Sequence, residues 1–204
     1  MELTQFKKSI FAGIMINIAA TIYLSISNQI IGSLMFSFGL LVISTMNYNL
    51  YTGMAGYYPL YNFGELFYVF TGNVIGCAIY SVFYEYTEHG KEIKIIAYKL
   101  CENKFSASYL SIFIMSILCG VMMFIAVNIY KNNKNIIGVI IVILCVSGFI
   151  LSGFEHSIAN LSYLALANYP PSLELYLKLF LMIIGNFIGS LITRLSIEKF
   201  KITK

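Results

Sequence analysis

The chain has 204 residues, of which 59% are hydrophobic and only 11% are charged, and its mean hydropathy is +0.80. Soluble domains carry about 25% charged residues, so this composition excludes a soluble globular protein and indicates a chain solvated by lipid. The net charge of +4 is small and spread along the chain, which argues against a nucleic-acid partner. Because each membrane span needs about 20 apolar residues, the length allows roughly six spans.

The apolar runs predict six spans joined by short polar or turn-forming segments. The run that follows Lys7 and Lys8 has no small-residue cleavage site, so we interpret it as the first span and not as a leader. Residues 87–106 mix acidic and basic side chains with isoleucines, a pattern typical of an amphipathic helix at the membrane interface. The predicted spans are residues 9–30, 32–58, 63–86, 107–130, 136–168 and 172–194.

Basic residues in the connections predict the orientation. If both termini are cytoplasmic, eight lysine and arginine residues fall on that side and five on the other. We therefore expect a multi-pass protein of the cell (inner) membrane with both termini in the cytoplasm. The eight are Lys7, Lys8, Lys131, Lys134, Arg194, Lys199, Lys201 and Lys204, and the five are Lys91, Lys94, Lys99, Lys104 and Lys178.

Two predicted spans are interrupted by polar and flexible residues. The fifth contains residues 152–157 (SGFEHS) between two apolar stretches. Unwound backbone at bilayer depth is tolerated only inside protein or beside a cavity, and paired broken helices indicate a pathway at the midplane. The interruption of the second span consists of Asn47, Asn49, Thr52, Gly53 and Gly56.

A short internal repeat links the two halves of the chain. Residues 72–76 (GNVIG) in the third span match residues 185–189 (GNFIG) in the sixth. An odd number of spans per repeat makes the second copy inverted, which predicts a 3+3 arrangement. The alternative is that the pattern recurs because small residues commonly pack helices together.

Glu155 and His156 are the most informative pair, because ionisable residues inside a span are by default functional. The unperturbed pKa of histidine, about 6.5, lets His156 change charge near neutral pH. It could instead be a buried neutral histidine bonded to loop carbonyls. We expect Glu155 to cap the amides of a new helix N-terminus. Thr52 could complete a polar site with His156, or bond back to its own helical turn.

Residues 153–160 (GFEHSIAN) resemble the fifth-span loop of formate/nitrite transporters. Residues 50–53 (LYTG) resemble the second-span loop of that family, the two GNxIG segments its third and sixth spans, and residues 119–127 its fourth. The resemblance covers essentially the whole chain. It implies an all-α, aquaporin-like membrane protein with six transmembrane helices, of which the second and fifth are broken, in an inverted 3+3 repeat.

The resemblance also implies a homopentamer with a pore through each protomer. The substrate would be a small monovalent weak-acid anion such as formate, nitrite or hydrosulfide. Because a bare anion in an apolar constriction is heavily penalised, we expect that His156, or the field around it, promotes proton transfer to the anion, which then crosses neutral. We accordingly expect one transmembrane channel domain over 1–204, with a first half near 1–86, the interfacial helix near 87–106 and a second half near 107–204.

The resemblance assigns roles to particular residues. His156 is the central pore histidine, Thr52 is its hydrogen-bonding partner, and Glu155 and Asn160 belong to the same substrate pathway. Lys104 matches a lysine that draws anions into the vestibule, although it could be an ordinary interfacial lysine. The cytoplasmic constriction falls at Phe36, Leu40 and Ala159, and the outer one at Leu50, Tyr51, Phe149 and Met123.

The sequence departs from the family pattern at three places. Gly120 replaces the asparagine usual in the fourth-span motif, Asn49 stands where an acidic residue often precedes the loop, and residues 52–73 form a shorter stretch than the family norm. The first two changes alter polarity near the pore and put the substrate in doubt.

Two other functions stay open from the sequence. A neutral-solute channel is disfavoured because the paired Asn-Pro-Ala motifs of aquaporins are missing. An intramembrane Ser/His hydrolase would have to use Ser152 or Ser157, but neither lies in a G-x-S-x-G setting, so we expect no enzyme. We expect no cofactor or metal either, because the cysteines are scattered and suit a role as small hydrophobes. They are Cys77, Cys101, Cys119 and Cys145.

Overall fold

The computed structural model describes residues 3–202, with side chains over 3–199, and this part of the chain is entirely helical outside its connections. Of the basic residues counted for orientation, Lys204 and the side chain of Lys201 lie outside this description. The helices are α1 (Leu3–Leu24), α2 (Gln29–Thr45), α3 (Tyr51–Met54), α4 (Phe63–Glu85), α5 (Glu88–Phe105), α6 (Tyr109–Asn132), α7 (Ile136–Leu151), α8 (Ser157–Ala167) and α9 (Leu173–Ile202).

Four helices in the described part are long and apolar enough to cross a membrane, namely α1, α4, α6 and α9. Helices α2, α7 and α8 are apolar but shorter. Between α2 and α3, and again between α7 and α8, helical structure stops for five residues, at 46–50 and at 152–156. A 3-10 turn, Ala55–Tyr57, continues α3.

Polar side chains at the connections fix where helices begin. Asn28 accepts hydrogen bonds from the amides of Ile30 and Ile31 and so opens α2, and Asn62 forms a capping box with Glu65 at the start of α4. Each cap satisfies amides that the first helical turn leaves free. The predicted bounds of the first span, 9–30, do not match the helix. Helix α1 begins at Leu3 and ends at Leu24, and Asn28 already caps the next helix.

The pairs α1–α4 and α6–α9 pack backbone against backbone through glycine. Gly13 of α1 lies against the carbonyl of Asn73, and Gly120 of α6 lies against the carbonyl of Asn186, so closely that a Cβ atom would overlap the oxygen. Small residues at such crossings let membrane helices approach. Gly120, noted above as a departure in polarity, is thus required by the packing of α6 on α9.

Helix α5 lies within the residues predicted for the interfacial helix, 87–106, and packs mainly against α8. Its buried stripe, Ile93, Ala97 and Cys101, recurs every fourth residue, the spacing of one helical face. Lys178 of α9, only 3% exposed, donates at 2.6 Å to the carbonyl of Phe105 at the C-terminal end of α5. This bond fixes the end of α5 that carries Lys104.

Candidate functional site

The loop between α2 and α3 is held by one buried asparagine of α4. Asn73 Oδ1 accepts the Tyr51 amide proton at 2.9 Å, and its Nδ2 donates to the carbonyls of Ser9 and Asn49, both at 2.8 Å. Unwound backbone inside a membrane protein must find such partners, because no water is available. Asn73 thereby ties the start of α3 to α1 and α4.

The loop between α7 and α8 is held in the same way by Asn186 of α9. Its Oδ1 accepts the Ser157 amide proton at 2.9 Å, and its Nδ2 donates to the carbonyls of Ser116 at 2.9 Å and Glu155 at 2.8 Å. Each bond has its counterpart around Asn73, at the same place relative to the loop. The two asparagines are the second residues of the two GNxIG segments.

Thr52 and His156 meet between the two loops. Thr52 Oγ1 lies 2.9 Å from His156 Nε2, and the two residues are 1% and 2% exposed. His156 also caps α8, because its Nδ1 accepts the Ala159 amide proton at 3.1 Å. Since Nδ1 is an acceptor, the proton of the neutral ring sits on Nε2 and is donated to Thr52. The Thr52 hydroxyl proton is then available to another acceptor.

Glu155 lies beside this pair and is itself paired. Its Oε2 accepts a bond from Lys104 Nζ at 2.8 Å and another from Asn160 Nδ2 at 2.7 Å, and its side chain is 7% exposed. The prediction that Glu155 caps the new helix is wrong, because His156 takes the N-cap position and Glu155 turns towards Lys104. A buried carboxylate needs such partners to stay ionised.

Two cavities flank the Thr52–His156 pair. The Lys104 cavity has a volume of about 250 Å³ and is lined by Lys104, Glu155 and His156 among others. The Lys131 cavity has a volume of about 340 Å³, and its lining includes Gly53, which follows Thr52, and Lys131. The Thr52–His156 pair therefore lies between the two cavities. The buried apolar side chains of the two linings and of Phe36, which packs on one of them, are called the barrier; they are Phe36, Leu40, Leu50 and Phe149.

The family model described as formate/nitrite transporter matches residues 2–197. The chain belongs to the formate/nitrite transporter family. No curated protein matches its sequence. Two solved structures are similar in fold. One is an FNT family ion channel (TM-score 0.77, 17% identity, 94% of this chain and 86% of that chain covered). The other is a pentameric formate channel with formate bound (TM-score 0.74, 20% identity, 97% and 94% covered).

In this member of the formate/nitrite transporter family the predicted constriction residues group differently from the prediction. Phe36, assigned to the cytoplasmic constriction, packs against Phe149, assigned to the outer one, with ring centroids 6.1 Å apart. Ala159 lines the Lys104 cavity together with Phe149, whereas Leu40 and Leu50 line the Lys131 cavity together. Phe36 and Leu40 are one helical turn apart, about 6 Å along the axis. Leu40 therefore reaches the lining of the Lys131 cavity, while Phe36 packs on Phe149 of the Lys104 cavity.

Three predicted constriction residues, Phe36, Tyr51 and Met123, line neither cavity among the described residues. Tyr51 points between α4 and α9, where its hydroxyl donates to the Ile183 carbonyl at 3.1 Å and its ring packs on Phe70. Its place in the outer constriction stays a prediction, and in this structure the side chain packs between α4 and α9. Met123 is buried on α6, one turn before Val127 of the Lys131 cavity.

The hydrolase alternative does not fit the geometry around His156. Both ring nitrogens of His156 are engaged, one by the Ala159 amide and one by Thr52. The imidazole therefore presents no nitrogen to Ser157, as a general base would have to do.

Some cavity residues were not predicted from the sequence. Tyr23 and Tyr163 line the Lys104 cavity, and Tyr130 lines the Lys131 cavity. Tyrosines near the ends of spans are also typical of the interfacial aromatic belt, so the residue type alone does not indicate a place in a cavity. From the sequence, Lys131 is predicted only as one of the basic residues that set the orientation in the membrane.

Proposed function

We propose that the protein is a channel for small monovalent weak-acid anions, such as formate, nitrite or hydrosulfide, with proton-linked passage past His156. The observation that carries the proposal is the Thr52–His156 hydrogen bond of 2.9 Å, buried between two cavities. The name of the family and the formate bound to one similar structure agree with an anion of this class.

The barrier around the pair favours a neutral permeant. Phe36, Leu40, Leu50 and Phe149 are all at most 3% exposed, and an anion that loses its water among such side chains is heavily penalised. A weak acid that has taken up a proton carries no net charge and avoids this penalty. Passage as the neutral acid is therefore the route that the barrier allows.

The Thr52–His156 pair would serve as a neutral hydrogen-bond donor at mid-passage. Protonating His156 at Nδ1 would break its bond with the Ala159 amide and leave a buried donor without an acceptor. We therefore propose that the anion takes up its proton from the solution in the Lys104 cavity, beside Lys104 and Glu155, and not from His156. Asn160 supports Glu155 there.

The same proposal includes the membrane arrangement. The helices α1, α4, α6 and α9 each form a span, and the segments α2–α3 and α7–α8 form two broken spans, six in all. The paired roles of Asn73 and Asn186 support an inverted 3+3 repeat within one channel domain. We propose cytoplasmic termini in the inner membrane, from the lysine and arginine distribution, and a homopentamer, by likeness to the pentameric formate channel.

A stopped-flow panel in proteoliposomes tests this function. Formate, nitrite, hydrosulfide, acetate and lactate are presented at matched pH, with glycerol as a neutral osmolyte and protein-free vesicles as the baseline. We expect flux of at least one weak acid well above the baseline and no added glycerol swelling. Glycerol permeation without weak-acid flux would instead make the protein a neutral-solute channel.

A further inference from the structure

The two cavities differ in charge. The Lys104 cavity holds one lysine and one carboxylate, which pair at 2.8 Å. The Lys131 cavity is lined by Lys131 and Lys134, and its lining contains no acidic residue in the described part of the chain. We propose that Lys131 and Lys134 form a binding site for a small monovalent anion at the mouth of the Lys131 cavity. That this anion is the permeant rests on the proposed function.

The two lysine positions belong to opposite ends of the bundle. Lys104 lies just before α6, and Lys131 is the penultimate residue of that 24-residue helix. At 1.5 Å per residue the helix is about 36 Å long, so the two mouths are a full membrane thickness apart. The barrier with Thr52 and His156 separates them. An excess of positive charge at one mouth is therefore not cancelled by Glu155 at the other.

Lys131 is held at its mouth by an aromatic ring. Its Nζ lies 4.2 Å from the centroid of the Tyr57 ring, and the Tyr57 hydroxyl donates to Asn128 Oδ1 at 3.3 Å. A cation–π contact positions an ammonium group but leaves its full charge, whereas a carboxylate would cancel it. Among the described side chains, no carboxylate oxygen lies within 4.0 Å of Lys131 or Lys134.

The Lys131 cavity also offers neutral donors to an anion. Ser44 and Asn47 line it beside the two lysines, and a hydroxyl or amide group can bond an anion without changing the net charge. A concave site with low-dielectric walls concentrates the field of its charges. Anions should therefore accumulate at this mouth and not at the neutral Lys104 mouth.

Thiol chemistry measures this charge without any transport. Ser44→Cys places a thiol in the Lys131 cavity and Asn103→Cys places one in the Lys104 cavity. Each is treated with a negatively charged and a positively charged methanethiosulfonate, and the ratio of the two rates is compared with that of a free thiol. The native cysteines, which are buried, supply the background rate.

We expect the rate ratio at Ser44→Cys to favour the anionic reagent by about tenfold over a free thiol at low salt, and the preference to shrink as salt rises. It should vanish in the Lys131→Gln/Lys134→Gln background and persist in the control Lys91→Gln/Lys99→Gln, which changes two exposed lysines of α5. Asn103→Cys should react like the free thiol. Equal ratios at both cavities, or a ratio at Ser44→Cys insensitive to the two lysines, would overturn the site.

A transport measurement links the site to the permeant. In Lys131→Gln/Lys134→Gln the KM for formate entering from this mouth should rise about tenfold, the same electrostatic factor, with an unchanged maximal rate. If the wild type carries no weak acid while the thiol ratio holds, the proposed function fails and the anion site stands. If formate flux is normal while the thiol ratio is ordinary, the site fails and the function stands.

Discussion

The loop after α2 and the loop after α7 are held by the same set of hydrogen bonds but carry different chemistry. Asn73 and Asn186 each bind an amide that starts a helix, a carbonyl two residues earlier and a carbonyl of a neighbouring long helix. Yet the first loop leads into four α-helical residues and presents Thr52. The second leads into an eleven-residue helix and carries His156 at its N-cap.

The difference teaches that the support of the site is duplicated while its reactive groups are not. Asn49 and Glu155 occupy equivalent positions, since their carbonyls bind equivalent asparagines. Asn49 donates to Gln5, whereas Glu155 accepts from Lys104. Substitutions of the residues that hold the loops, Asn73 and Asn186, should therefore have equal effects in the two halves. Substitutions of the groups that the loops present, Thr52 and His156, should not.

The largest expected effect follows from replacing either asparagine that holds a loop, Asn73 or Asn186. Asn73→Leu and Asn186→Leu each leave two buried backbone groups without partners, the amide that starts a helix and the loop carbonyl two residues earlier. At 1–3 kcal/mol per group, each should destabilise the fold by about 2–6 kcal/mol. Thermal unfolding in detergent measures this, with the exposed Asn132→Leu as a control that changes little. Loss of folding with only one of the two would break the equivalence of the loops.

Removing Lys104 should come next. Lys104→Met leaves the buried Glu155 without a cationic partner and with only its bond from Asn160, at a cost of about 3 kcal/mol. Gln5→Leu, beside the equivalent Asn49, should cost about 1 kcal/mol. The double variant Lys104→Met/Glu155→Gln should recover most of the loss. If the double variant unfolds as readily as the single one, the carboxylate is not what makes Lys104 necessary.

The two helix crossings should respond alike to one added methyl group. Gly13→Ala and Gly120→Ala both drive a Cβ atom into an asparagine carbonyl, and overpacking of this kind costs about 1–3 kcal/mol. Gly148→Ala is the matched control, because its Cβ would meet only the flexible end of Met122 at 3.1 Å. The shift in thermal midpoint, equal for the first two and small for the third, checks the prediction.

The smallest effect on stability, and the largest on transport, is expected at the presented groups. Thr52→Val removes the acceptor of His156 Nε2, at about 1 kcal/mol. His156→Asn loses the same bond but keeps an N-cap for α8, since asparagine is a strong capping residue. Both variants should fold and carry weak acids with altered selectivity. Wild-type selectivity in both would remove the pair from the pathway.

Much of this arrangement could be predicted from the sequence because it leaves a chemical signature. Apolar runs reveal spans, a histidine inside such a run stands out, and the repeated GNxIG segments contain the two asparagines that hold the loops. The family prediction is confirmed by the match over residues 2–197. The all-helical fold is likewise present in the described residues.

The parts that could not be predicted depend on the direction of side chains. Tyr51 resembles a pore residue because it precedes Thr52, but its hydroxyl bonds to α9. Leu40 lines the Lys131 cavity, whereas Phe36, one helical turn earlier, packs on Phe149. The cap of α8 was assigned to Glu155 because a carboxylate suits a helix N-terminus. The partner that decides otherwise, Lys104, is 51 residues away.

The most direct test of the account is the pH dependence of formate flux in proteoliposomes at a fixed formate concentration and no membrane potential. If one proton crosses with each anion, the initial rate should fall by up to about tenfold per pH unit as pH rises. A membrane potential should change it little. A rate that stays constant between pH 5 and 8 and follows the potential would show that the bare anion crosses, and would contradict the account.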